Sequence, residues 1–368
     1  MKIIQVLVFL ASFSFLNFIS AEEVAELAKV TPVKPVKTIR LGGTVEVRYD
    51  NAQHQFGSFS PFRFEPYVES DIDDDILIKG QILVKANSKI EIGDALVQYN
   101  SIPFINGSIK AGKYRWKSFG LPQSDSERVS VDYSLTGRAF TGDRQVGIEY
   151  YRKSDYLNLG LGLFNGSKLD STNAGDNRFT PISFISDKLG ESDKNQDKDI
   201  TMRLELIPVK GLQIGTSALA GKLTGDDLKA LTKKLGTAYT AFKSKTDRKK
   251  QRIGGDIVLK SNLPVDLKGE YIYGTTSEYN VDSWSVLAIS RSIFTKLDIY
   301  SRYSQLVNNL NEDANKKNTY TFDLYQTTCG VIWNFNKMTL LQIEYEFNNE
   351  NNVKLNNDIL RIRWQGSF

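Results

Sequence analysis

The chain has 368 residues, with 47 Lys and Arg against 43 Asp and Glu, one Cys and one His. A net charge of +4 is too balanced for a nucleic-acid binder held by charge alone. The single Cys329 excludes a disulfide scaffold or Cys-based metal site, and the single His54 argues against His-ligated zinc or His-based catalysis.

Residues 1–21 read as a secretory signal peptide. Lys2 gives a short positive start, Ile3 to Phe18 is mostly apolar, and Ile19-Ser20-Ala21 ends on a small residue. An uncleaved anchor helix is the alternative, but the apolar run is short for a span. Residues 22–37 contain Thr31-Pro32-Val33-Lys34-Pro35-Val36-Lys37. Two prolines in that space favour an extended periplasmic arm. No other long apolar run follows, so a helical membrane protein is excluded. The mean hydropathy of −0.33 does not exclude a membrane barrel, because alternating faces cancel in an average.

From Thr38 onward the apolar pattern has a period of two. Ile200, Met202, Leu204 and Leu206 alternate with Thr201, Arg203 and Glu205. Leu341, Ile343, Tyr345 and Phe347 oppose Gln342, Glu344 and Glu346. Such alternation marks strands with one apolar and one polar face. About sixteen segments follow it, starting near Thr38, Phe62, Asp75, Ile90, Gly107, Arg144, Asp155, Asp199, Gly211, Lys250, Pro264, Asp282, Phe294, Tyr320, Met338 and Asn356. Tight connections such as Lys153-Ser154 and Asn336-Lys337 alternate with long polar ones such as Asn165–Lys198, Lys222–Asp247 and Val307–Asn318. The expected fold is all-β. It is a transmembrane antiparallel barrel of about sixteen strands over residues 38–368, with short turns at one end and long loops at the other. A soluble sandwich or β-helix shares the alternation. The long strands and the charges spread over most polar faces favour the barrel. The helix-spaced Leu228, Leu231 and Leu235 fall in a long loop.

One stretch carries a family resemblance. Gly112-Lys113-Tyr114-Arg115-Trp116-Lys117-Ser118-Phe119-Gly120-Leu121 resembles the Gly-Lys-Phe … Phe-Gly-Leu passage of the phosphate-selective porin O/P family. Tyr114 replaces the Phe, and Ser118 stands where Pro is frequent. Ile92 to Tyr99, Arg144 to Gly147, Leu159 to Gly166 and Arg203 to Ala218 resemble neighbouring passages of that family in the same order. The resemblance covers about residues 38–222; the rest matches only in barrel pattern. It implies a trimeric porin of sixteen strands with a third loop folded into the lumen.

Period two places Lys113, Arg115 and Lys117 on one face, with Tyr114 and Trp116 on the other. Charge facing lipid costs roughly 2–4 kcal/mol at the midplane, so the basic three are expected in the lumen and the aromatics against lipid or a neighbouring subunit. A basic stripe in a narrow pore favours anions; a merely solvated wall is the plain alternative. In the loop that follows, Ser124, Ser126 and Arg128 are candidate donors to an anion. Asp125 and Glu127 lie among them and weaken any phosphate specificity. Elsewhere Lys79, Lys85, Arg252, Lys260, Lys268, Arg302, Arg361 and Arg363 are offset by Glu46, Glu65, Asp256, Asp266, Glu270, Asp298, Glu344 and Glu346. Asp94 is a further candidate for the lumen. A general pore with a mild anion bias fits that mixture.

The last segment places Leu360, Ile362, Trp364, Gly366 and Phe368 on one face, and Ile359, Arg361, Arg363, Gln365 and Ser367 on the other. A final strand ending in Phe resembles the signal read by the bacterial outer-membrane assembly machinery. The expected location is therefore the outer membrane, with lipid bilayer and lipopolysaccharide around a homotrimer, small anionic or polar solutes inside, and no nucleic acid. No cofactor, metal or catalytic residue is expected. Asp71 to Asp75 reads as a solvated turn, with a calcium site as the alternative. An adhesive or structural barrel and a barrel hydrolase remain the other functional readings.

Overall fold

The computed structural model describes residues 38–53, 57–85, 90–102, 106–121, 128–141, 144–166, 168–169, 187–188, 197–228, 248–260, 264–277, 279–308, 323–351 and 357–368. The signal peptide over 1–21, the arm over 22–37, His54, Ser124 and Ser126 lie outside them. The strands are β1 (Thr38–Ala52), β2 (Ser58–Asp71), β3 (Ile76–Lys85), β4 (Ile90–Tyr99), β5 (Ser108–Tyr114), β6 (Gln145–Arg152), β7 (Leu157–Asn165), β8 (Lys168–Leu169), β9 (Asp187–Lys188), β10 (Lys198–Val209), β11 (Leu212–Lys222), β12 (Lys249–Lys260), β13 (Val265–Thr276), β14 (Tyr279–Phe294), β15 (Leu297–Asn308), β16 (Leu324–Asn334), β17 (Thr339–Glu350) and β18 (Ile359–Ser367).

Sixteen of them close into one antiparallel barrel, and β8 and β9 form a separate two-residue pair. The starts read from the alternation each find a strand. The widest offsets are at β2 and β16, which begin at Ser58 and Leu324 rather than Phe62 and Tyr320. Closure is made by β18 on β1, from Thr44 opposite Ser367 to Ala52 opposite Ile359. The last residue is part of the seam. Gly43 N donates to Phe368 O at 3.0 Å, and Phe368 N donates to Gly43 O at 3.1 Å. A closed ring leaves no edge whose backbone groups would meet hydrocarbon unpaired.

Exposure is inverted relative to a water-soluble domain. Outward residues are apolar, with Leu41 at 75% and Ile92 at 61% exposed. Inward residues are polar and buried, with Glu344 at 0% and Arg361 at 2%. The soluble-sandwich alternative needs the opposite arrangement. Aromatic residues gather near both rims of the apolar band, as interfacial anchors do. Near the short-turn end, Phe335 stacks on Trp364 at 5.2 Å and Phe64 on Phe368 at 6.0 Å. Near the other end, Tyr49 meets Phe59 at 5.4 Å and Trp284 meets Tyr303 at 5.1 Å.

The longest connections all lie at one end, as expected, though several connections at that end are short. At the long-loop end, β13 and β14 are joined by residues 277–278 alone, and Ser277 takes a φ of 57° to make that turn. The acidic run at 71–75 is a capped turn. Asp73 Oδ1 accepts from the backbone N–H groups of Asp75 at 2.9 Å and Ile76 at 2.8 Å. Among the described residues no group of side chains is arranged to hold a metal.

At the short-turn end, Lys210-Gly211 joins β10 to β11, and Gly211 has a φ of 93°. A Cβ there would lie 2.2 Å from Lys260 O. Gly211→Val is therefore expected to destabilise the barrel by about 1–3 kcal/mol. Gly80→Ala, where nothing lies within 4 Å of the added carbon, is expected to be near neutral. Urea unfolding from detergent micelles checks both.

Candidate functional site: the loop-lined lumen

In the connection between β5 and β6, residues 115–121 and 128–141 turn inward and run against the barrel wall. It is the third connection at the long-loop end. Its root is held by Glu149 of β6, whose Oε1 accepts from the backbone N–H groups of Lys117 and Ser118, both at 2.6 Å. Further on, Gly120 N donates to Ser217 Oγ at 3.1 Å, and Leu121 N donates to Glu270 Oε1 at 2.6 Å. Arg203 donates to Gly120 O at 2.8 Å while pairing with Asp256 and Glu205. The far side is held by β15, β17 and β18. Val131 N donates to Glu344 Oε2 at 2.8 Å, Arg302 donates to Asp132 O at 2.8 Å, and Gln342 donates to Val129 O at 2.9 Å. Arg361 pairs with Asp132 at 3.4 Å and with Glu346 at 2.6 Å. Inward strand residues thus act as loop anchors, because a buried backbone N–H or C=O left unpaired is costly.

The inward loop also builds an apolar core inside the barrel. Trp116 packs edge-on to Phe164 at 5.3 Å and to Phe119 at 5.7 Å, and Tyr114 meets Phe164 at 6.0 Å. Leu135, Phe140 and Ile272 join this cluster. Each such side chain gains about 1.5–3 kcal/mol by leaving water. This corrects one expectation. Tyr114 and Trp116 do not face lipid; they are buried in the interior core at 1% and 4% exposure.

The same parity moves Lys113. On β5, Ile109 and Ala111 share the outer face with Ile148 and Val97, and Lys113 follows them, opposite Ala95 and Val146. The inner positions are Lys110, Gly112 and Tyr114. The strand ends at Tyr114, so period two does not govern Arg115 and Lys117, which are set by the loop root. The basic triplet is therefore divided. Arg115 and Lys117 line the lumen, and Lys113 does not. Arg128 also lines the lumen. It stacks over Tyr133 at 4.5 Å, and Arg115 lies over the same ring at 5.2 Å.

Two cavities follow the wall from β1 to β6. The first, about 410 Å³, is bounded by β1 to β5, the loop and Gln365 of β18. Seven basic residues line it: Arg63, Lys79, Lys110, Arg115, Lys117, Arg128 and Arg144. Only Glu46, Glu65, Glu69 and Asp94 oppose them. Asp94 pairs with Arg144 at 2.7 Å and Lys79 at 3.4 Å, and Glu65 pairs with Arg63. Basic residues therefore outnumber acidic ones along this cavity, seven to four. The second cavity, about 600 Å³, lies toward the short-turn end between β4 and β6. Gln98, Lys110 and Lys117 line both cavities and mark their junction. Lys110 lies over Tyr114 at 4.5 Å and Lys117 over Tyr151 at 5.6 Å.

Sequence reasoning missed Lys110, Arg144, Tyr133 and Glu149. Lys110 was within reach, since Ile109 beside it fixes the parity. Arg144 and Tyr133 had no local signal, because the loop path alone brings them to the lumen.

No family model matches the sequence, and no curated protein matches it. The fold is similar to solved structures. OprB of Pseudomonas putida has a TM-score of 0.64 at 12% identity, covering 95% of this chain and 96% of that chain. The outer membrane channel DcaP of Acinetobacter baumannii has 0.62 at 12% identity, covering 91% and 100%. An anion-selective porin from Comamonas acidovorans has 0.56 at 12% identity, covering 90% and 99%. The likeness establishes a porin-type barrel; it does not extend to the phosphate-selective O/P family that the motifs resemble.

Asp132 lies in the loop, outside the spanning strands. Burial pushes its carboxyl up, but Arg138, Arg361, Arg48 and Arg128 outweigh burial and hold it well below the ordinary carboxylate range. A depressed folded value means stability that is fully present above the unfolded value and lost as pH falls toward the folded one. The stability difference between wild type and Asp132→Asn is therefore expected to stay constant from neutral pH down to about 5 and to shrink below about 4. Unfolding curves of both proteins across that range check it.

Proposed function

We propose that this protein is a bacterial outer-membrane porin through which small hydrophilic solutes diffuse, with a mild preference for anions. The observation that carries this reading is the pair of adjoining cavities with Lys110 and Lys117 at their junction. A surplus of fixed positive charge in a confined, low-dielectric passage concentrates anions and excludes cations. The surplus is modest, since acids are paired along the same wall, and this favours general anion passage over a dedicated phosphate site. Phosphate is one candidate solute, with Arg115 and Arg128 as its nearest guanidinium donors. Ser124 and Ser126 are retained as candidate donors on sequence grounds.

The apolar band between aromatic rims supports a seat in the bilayer, with lipopolysaccharide around the long-loop end. The signal peptide over 1–21 supports export, and the arm over 22–37 belongs to the periplasmic side. Phe368, hydrogen-bonded into the closing seam, supports recognition of the last strand by the barrel assembly machinery. A homotrimer is proposed from the motif resemblance of the sequence. No enzymatic role is proposed, because the charged groups line a passage or anchor the loop.

Planar-bilayer recording across a KCl gradient tests this. The wild type is expected to show conducting steps with an anion-favouring reversal potential. Lys110→Glu with Lys117→Glu is expected to reverse that preference, and Lys113→Glu to leave it unchanged. A protein without conducting steps defeats the pore reading and points to the adhesive or hydrolytic alternatives. Steps with cation preference in the wild type defeat the anion reading.

A further inference from the structure

Glu149 is a carboxylate inside a passage read as favouring anions, and its two oxygens are used differently. Oε1 holds the loop root through the backbone N–H groups of Lys117 and Ser118. Oε2 is buried and takes no hydrogen bond. It faces Lys110 Nζ at 3.8 Å, from the position directly opposite Lys110 in the β5–β6 ladder. The next inward residue of β6 is Tyr151, over which Lys117 lies. Glu149 is thus set among the two lysines shared by both cavities, and it lines the second cavity itself.

Pinning the loop does not require a charge. A glutamine carbonyl would accept the same two backbone N–H groups at the same place. Burying a carboxylate costs several kcal/mol more than burying an amide. The negative charge therefore acts on something other than the loop, and the ammonium opposite is the group it reaches. At 3.8 Å without a hydrogen bond, that ion pair is loose enough for a passing anion to take the place of Oε2 at Lys110.

We infer that Glu149 is the specificity-setting counter-charge of the passage, cancelling part of the Lys110–Lys117 field and so holding the anion preference to a mild level. The ligand class is small monovalent or divalent anions, which compete with Oε2 for one ammonium. This rests on the anion-passage reading above and names the residue that tunes it.

The test is the reversal potential of Glu149→Gln, which keeps the loop-pinning acceptor and removes the charge. Its anion-over-cation permeability ratio is expected to rise about two- to threefold over wild type. Should Glu149→Gln fail to insert, Lys110→Gln with Glu149→Gln replaces the pair by neutral groups of similar shape. That double variant is expected to be more anion-selective than Lys110→Gln alone. An unchanged ratio in Glu149→Gln, or a double variant equal to Lys110→Gln, overturns the inference. A wild-type protein without anion preference overturns the underlying reading instead, so the two failures are separable.

Discussion

Hydrocarbon offers a backbone no hydrogen-bond partner, and the ring closed by β18 on β1 answers that constraint. Most other features of the structure descend from it. A closed antiparallel ring has one inside and one outside, so every strand must sort its side chains by parity. Apolar residues then face lipid, and the groups that a soluble protein would display are turned inward. The terminal Phe368 shares in the closure through its own backbone, and its ring packs on Phe64 at the rim.

A ring of sixteen strands encloses more space than its own side chains can fill. The third loop occupies that space with two kinds of contact. On one side it brings Trp116, Phe119 and Phe140 against Phe164 and Ile272, making a core inside the barrel. On the other it lies on a lattice of buried charges, where Arg302, Arg361, Glu344 and Glu346 hold its backbone and Asp132. The loop is thereby fixed against the strands from β6 to β18, and the two adjoining cavities lie along the wall from β1 to β6. Their residual positive charge follows from which acids already have partners. Asp94 is shared by Arg144 and Lys79, whereas Glu149 lies opposite Lys110 and accepts from the Lys117 backbone N–H.

Much of this was legible in the residue pattern. Leu360, Ile362 and Trp364 facing out and Arg361 and Arg363 facing in follow from alternation, and the structure places them so. The lumen positions of Arg252, Arg302, Asp256, Glu270, Glu344 and Glu346 were legible in the same way. Lys113 was not. The rule that charge avoids lipid suggested the lumen, but the parity set by Ile109 and Ala111 overrode it. Tyr114 and Trp116 failed for a related reason. Assigning aromatics to lipid assumes that the lumen is wet everywhere, and the inward loop makes part of it dry.

The sequence by itself determined the strand count, the face of most residues and the closing terminal strand. These depend on local periodicity, and a two-residue period is written into neighbouring positions. Only the tertiary structure decided the path of the third loop, and with it the meeting of Lys110, Lys117 and Glu149 at the junction of two cavities. Those contacts join β5, β6 and the loop root across the barrel interior. No local pattern encodes them, because they arise from where the chain returns after it has folded inward.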